Sequence, residues 1–184
     1  LMVVQQTLSY LNQGKVILDP TDTVWGVGGD ATRTDVVQRI YELKKRNDAK
    51  ALIGLVGSKE KLEHYVGPIP KEIEPYLESE RPTTIIYSNP KGLAKNMLSN
   101  EQTIALRIPK NPFLEELLDA FGKAIISTSA NLSGFSTPKN FNEVSQEILD
   151  GVDYIVPLMQ EKDCGNPSRI IKIENKNSIT ILRP

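Results

Sequence analysis

The chain has one cysteine, Cys164, and one histidine, His64. A disulfide framework within it is therefore excluded, and a Cys/His zinc site lacks ligands. A serine–histidine triad on Ser127 or Ser129 would depend on that one histidine, which sits in the charged stretch KEKLEHY and reads as a surface residue. No apolar run approaches the roughly 20 residues that a membrane helix needs; the longest, Ala51 to Gly57, is strand-sized. Aromatic residues make up 6%, and 22 Lys and Arg stand against 23 Asp and Glu. That balance supplies neither a broad basic face nor stacking platforms for nucleic acid, so any basic function must be local. The amino end lacks a basic segment and reads as an amphipathic helix rather than a signal peptide. With so little cysteine, the expected compartment is the reducing cytoplasm, with no membrane partner. Three motifs are also missing: G-x-x-x-x-G-K-[ST], G-x-G-x-x-G and the hydrolase elbow G-x-S-x-G.

What is present alternates between strand and helix periods. Apolar spacing predicts helices over 2–13, 35–45 with Thr34 as N-cap, 59–65 capped by Ser58, 71–79, 112–121, and one capped by Asn140 or Asn142 that ends at Gly151. Strands are expected at 15–19, 51–57, 83–87, 103–108, 123–127, 153–156, 168–173 and 178–182, the last two as a hairpin. The segment after 15–19, PTDTVWGVGGD, reads as a loop. The pattern predicts an α/β fold, a single domain over 1–184 with helices packed on a twisted mixed sheet.

Four polar clusters carry chemistry. Thr21-Asp22-Thr23 and its glycines follow a strand, where ligands of α/β sheets sit, although turn chemistry alone explains Pro, Asp and Gly there. Lys44, Arg46 and Lys50 form a basic run at a helix end; cations complement the helix dipole, and a Lys-x-Arg pair also suits a phosphate. The run STSANLSG, 127–134, offers hydroxyls and amides at a strand end. Arg107, Arg169 and Arg183 lie in or beside strands; Arg107 shares a face with Thr103 and Ala105, opposite Ile104 and Leu106, and so faces water or a cleft. Cys164 has only a weak case as a nucleophile. This inventory of hydroxyls, amides and cations, without a nucleophile, suits anionic substrates whose own groups react with one another.

PTDTVWGVGGDA (20–31), KKR with Lys50, TIALRIP (103–109) and STSANLSG (127–134) occur in order over almost the whole chain. Together they resemble the YrdC/TsaC family of threonylcarbamoyl-AMP synthases, in the short form without a C-terminal extension domain. The resemblance implies a YrdC-like fold and a nucleotidyltransferase that makes threonylcarbamoyl-AMP and pyrophosphate from L-threonine, bicarbonate or CO2, and ATP, with Mg2+ assisting. The product serves tRNA threonylcarbamoyladenosine modification, with tRNA contact and hand-off to a threonylcarbamoyl transferase complex as the implied partnerships. Carried onto matching positions, Thr23, Arg107, Ser127 and Ser168 would contact threonine. Lys44, Arg46, Lys50, Thr103, Ser129, Asn131, Thr137 and Arg183 would hold ATP. Two departures are visible: the family's P-G-P-x-T segment reads Arg81-Pro82-Thr83-Thr84, and Leu55 stands near a position where longer relatives carry histidine. The alternative is a YciO-like paralogue that binds nucleotide or RNA without this synthesis.

Overall fold

The computed structural model describes residues 2–45, 52–175 and 178–184. Among the described residues nine strands form one mixed sheet: β1 (Ile17–Asp19), β2 (Gly26–Asp30), β3 (Ile53–Leu55), β4 (Thr83–Ser88), β5 (Thr103–Arg107), β6 (Ile125–Ser129), β7 (Tyr154–Ile155), β8 (Arg169–Asn175) and β9 (Ser178–Arg183). Their order is β7-β1-β2-β6-β3-β5-β4-β8-β9. The β1/β7, β3/β5 and β4/β8 pairs are parallel and the remaining pairs antiparallel. The described residues also form six α-helices: α1 (Met2–Asn12), α2 (Thr34–Lys44), α3 (Lys59–Val66), α4 (Glu74–Glu78), α5 (Pro112–Phe121) and α6 (Gln146–Gly151). None of the described helices is long and apolar enough to cross a membrane.

Register divides the sheet into two faces, because neighbouring residues along a strand point to opposite sides. On one face Val27, Ile85, Ile104, Leu106, Ile126 and Ile171 share one core cluster with Val36, Val37, Ile40 and Tyr41 of α2 and Leu62 and Tyr65 of α3, α2 lying over β2. On the other face Ile17, Leu55 and Ile125 meet Val4 and Leu11 of α1 and Leu114, Leu117 and Phe121 of α5. Helix α5 is specified locally at both ends. Asn111 accepts the Leu114 N–H at 3.1 Å, Pro112 opens the helix, and Gly122 closes it in the left-handed region at φ 74°. Helices α1 and α5 cover only part of their face, and the uncovered remainder forms the wall of a cleft.

Several local expectations need correction. GVGGD is strand β2 in mid-sheet, not loop, and all five residues are buried. Glycine-rich composition hides its strand character, yet close packing explains it: a Cβ on Gly29 would come within 2.5 Å of Val36 Cγ1 on α2. Strand β6 runs to Ser129, so the first three residues of STSANLSG are ladder rather than loop. Thr34 is the first residue of α2 rather than its cap; Arg33 holds that position with no side-chain cap bond. Asn140 caps only a short 3-10 turn, Phe141–Glu143, and Ser145 caps the separate α6. The β8–β9 hairpin, α3 with its Ser58 cap, and α5 lie where the pattern puts them.

Candidate functional site

The cleft, with a volume of about 320 Å³, is lined by residues that share one face of the sheet: Gly26, Ile53, Ile86, Ala105, Arg107, Ser127, Ser129 and Ile170. Its rim comes from Thr23 and Val24 after β1, Thr137, the Pro167–Ser168 segment before β8, and Arg183 at the end of β9. Gly26 keeps it open, since a Cβ there would lie 2.9 Å from Ser127 Oγ. Seven of the site residues predicted from sequence therefore converge on one cavity: Thr23, Arg107, Ser127, Ser129, Thr137, Ser168 and Arg183.

Lys44, Thr103 and Asn131 are not among its lining residues. Lys44 is fully buried, and its Nζ donates to Thr128 Oγ1 and to the Ser129 carbonyl, each at 2.7 Å. The physical reason is register: α2 lies on the opposite face, so the hydroxyl it meets is that of Thr128, not of Ser127 or Ser129. Thr103 opens β5, at the far end from Arg107, and its hydroxyl pairs with Ser99 Oγ at 2.6 Å. Asn131 donates to the carbonyls of Leu132 and Phe135 and thereby shapes the turn after β6. Arg46 and Lys50 lie outside the described residues.

Arg107 does not face water. Its side chain is 3% exposed and forms an ion pair with Asp22 Oδ1 at 2.6 Å, while Asp22 Oδ2 accepts the Lys110 N–H at 3.0 Å. Arginine has five donors in a rigid fork, so the bond to Asp22 fixes the guanidinium and leaves other N–H groups for a ligand. Thr23 Oγ1 lies 3.5 Å from Arg107 Nη2 and 3.0 Å from Thr21 Oγ1. Ser168 Oγ pairs with Thr84 Oγ1 at 2.7 Å, and Arg183 donates to the Ser168 carbonyl at 2.7 Å and to Ser168 Oγ at 3.3 Å. Trp25, 2% exposed, packs against Phe141 at 5.1 Å between ring centroids and belongs to the core rather than to the cleft lining.

One residue escaped the sequence reading. Asp19, the last residue of β1, sits opposite Gly26 on the cleft face, is 1% exposed, and has an Oδ1 atom with no hydrogen-bond partner. Burial pushes its carboxyl up to about 8, against the opposing pull of the Arg107 charge. An aspartate before proline reads as turn chemistry, which is why sequence alone conceals it. Cys164 is half-buried, and burial raises its thiol, which disfavours the thiolate a nucleophile needs. His64 is exposed on α3 and does not line the cleft.

Hydroxyls and fixed guanidinium groups, with no nucleophile–base pair among the cleft-lining residues, define a binding cleft for small anionic molecules on a mixed α/β sheet. The chain belongs to the Sua5/YciO/YrdC family, whose model, described as "Telomere recombination", matches residues 9–184. It is similar to the threonylcarbamoyl-AMP synthase of Vibrio parahaemolyticus, 34% identical over 178 residues, which span 90% of this chain and 91% of that protein. The threonylcarbamoyl-AMP synthase of Bacillus subtilis is 32% identical over 151 residues; the match covers 80% of this chain but 43% of that longer protein. Among solved structures, P. abyssi Sua5 complexed with L-threonine superposes with a TM-score of 0.85 at 26% identity, over 98% of this chain and 53% of that one.

Proposed function

We propose that the protein is a threonylcarbamoyl-AMP synthase, a nucleotidyltransferase that condenses L-threonine, bicarbonate or CO2, and ATP and releases pyrophosphate. The observation that carries this reading is the convergence of Thr23, Arg107, Ser127 and Ser168 with Ser129, Thr137 and Arg183 on one cavity. Arg107, oriented by Asp22, offers a fork for the threonine carboxylate. Thr23, Ser127 and Ser168 present hydroxyls that bond either the amine or the side-chain hydroxyl. Arg183, Ser129 and Thr137 serve the nucleotide side, with Arg46 and Lys50 in the same role. Lys44 holds the Ser129 end of β6 from behind and thus acts on the nucleotide side through Thr128 and Ser129.

The substrates supply the reacting groups. The threonine amine attacks the carbon of CO2 and loses a proton, or that of bicarbonate with loss of water, to give a carbamate. A carbamate oxygen then attacks the α-phosphorus, and the bond to pyrophosphate breaks as pyrophosphate departs. Catalysis then rests on positioning and on charge stabilisation. Among the described residues no group of three His, Cys, Asp or Glu could cage a metal. Mg2+ would therefore arrive held by the ATP phosphates and water, as that ion usually is, and would neutralise triphosphate charge. Delivery of the product to tRNA through a transferase complex completes the proposal.

The test is pyrophosphate release from ATP, measured with and without threonine and bicarbonate, with mass spectrometry of the adduct. Release that needs both co-substrates supports the reading. ATP turnover independent of threonine, with no adduct, refutes it, and tight tRNA binding without synthesis would favour the paralogue instead.

A further inference from the structure

The chain carries a net charge of −1, yet its positive charge is unevenly compensated. Of the six arginines among the described residues, Arg33, Arg39 and Arg107 pair with Asp35, Asp153 and Asp22. Arg81, Arg169 and Arg183 have no carboxylate within 4 Å among the described residues. Topology gathers these three at one place. Arg81 leads into β4, Arg169 opens β8 opposite Thr83 of β4, and Arg183 closes β9 opposite Ile170 of β8.

Arg169 is engaged locally: it donates to Thr83 Oγ1 at 2.9 Å and lies over the Tyr76 ring at 4.9 Å. Arg81 and Arg183 instead line a second cavity of about 510 Å³, together with Asp22, Asn166 and Pro167. Pro167 and Arg183 belong to the walls of both cavities, so the two adjoin. The single acidic side chain in the second wall, which also includes Pro184, is already committed, with Asp22 Oδ1 on Arg107 and Oδ2 on the Lys110 N–H. Arg183 is half-buried with only the Ser168 carbonyl and hydroxyl as acceptors, and desolvation lowers its affinity for the proton. A guanidinium held out of water without a counter-charge favours an incoming anion. Arg81 is exposed and stands at the outer edge of this cavity.

We propose that this second cavity is an anion site for phosphate-class ligands, distinct from the cleft but adjoining it at Arg183, with Arg81 as its outer clamp. Under the synthase reading, on which this last step rests, its ligand is the departing pyrophosphate. The two arginine forks then grip the leaving group as it clears the cleft, and release from the rim competes with product inhibition.

The experiment titrates inorganic pyrophosphate by calorimetry into the resting protein, and again into protein saturated with a non-hydrolysable ATP analogue. Arg81→Ala and Arg81→Lys are compared with wild type; Arg81 is exposed, so folding is checked simply by the unfolding temperature. Expected is pyrophosphate binding that persists beside the analogue, though weaker because the two share Arg183, and that weakens roughly ten- to hundredfold in Arg81→Ala, with partial recovery in Arg81→Lys. Unchanged affinity in Arg81→Ala, or loss of all pyrophosphate binding once the analogue fills the cleft, overturns the proposal. So does a defect of Arg81→Ala confined to tRNA binding, which would assign the arginine to a macromolecule. Because these titrations need no turnover, failure of the synthase reading shows separately: anion binding persists while threonine and bicarbonate release no pyrophosphate.

Discussion

The two faces of strand β6 differ by one residue of register and by everything else. Ile126 and Thr128 point into the α2 layer, where the Lys44 ammonium fills the last polar gap and closes that face. Ser127 and Ser129 point the opposite way, past a glycine, into a cleft edged by Arg107 and Arg183. From Ile126 to Ser129 the strand therefore serves packing with its even-numbered residues and binding with its odd-numbered ones, while Ile125 packs under α1 and α5. Polarity alone does not mark the binding face: Lys44 and Thr128 are as polar as Ser129, yet both are buried. Open space marks it, and that space depends on Gly26 and on the incomplete cover of α1 and α5.

Removing the cation of the cleft face should produce the largest effect. Arg107→Ala leaves Asp22 part-buried without its partner, and breaking such a pair typically costs about 3–5 kcal/mol. The expected result is a markedly lower unfolding temperature together with loss of threonine-dependent pyrophosphate release. Adding Asp22→Ala should restore part of the stability and none of the activity. Recovery of activity in the double variant would show that Arg107 serves the fold alone.

Next in size is the buried acid of the same face. Asp19 holds its proton up to about pH 8 in the folded protein but releases it near the ordinary carboxylate value when unfolded. Between those limits the folded state binds more protons than the unfolded state, so stability falls as pH rises from about 4 towards 8. Asp19→Asn removes that slope. The variant should match wild type near pH 4 and exceed it by on the order of a few kcal/mol near pH 8, read from denaturant titrations across the range. Parallel curves for the two proteins would mean that Asp19 titrates normally.

The asymmetry between the faces also decides how much was legible in the sequence. Helix α5 announced itself because Asn111, Pro112 and Gly122 are local signals that act on neighbouring residues. The alternation Thr103 to Ile108 puts Arg107 on the face opposite Ile104 and Leu106, and the family resemblance implies ligand roles for Thr23, Ser127, Ser129, Ser168 and Arg183, which line one cavity. Strand β2 was hidden because its glycines answer to α2 and to β6, elements distant in sequence. Lys44 went to the wrong side for a similar reason: helix position shows that it can reach an anion, but only the packing of α2 shows which face it reaches. Asp19 and the uncompensated Arg81 are properties of three-dimensional charge balance, for which a linear pattern has no signature.

The finest comparison sets two glycines of β2 against each other, three residues apart and on opposite faces. A Cβ on Gly29 meets Val36 Cγ1 at 2.5 Å and the Lys15 carbonyl at 3.3 Å, so Gly29→Ala must push α2 off the sheet. Overpacking of this kind costs about 1–3 kcal/mol, and the substitution should lower the unfolding temperature with little change in the KM for threonine. A Cβ on Gly26 meets chiefly the Ser127 hydroxyl at 2.9 Å, a group that can rotate away into the cleft. Gly26→Ala should accordingly leave stability within about 1 kcal/mol of wild type and raise the KM for threonine. Steady-state kinetics beside thermal unfolding separates the two. If Gly26→Ala destabilises while leaving KM untouched, the open face of β6 is a packing defect rather than a binding surface, and the division between the faces fails.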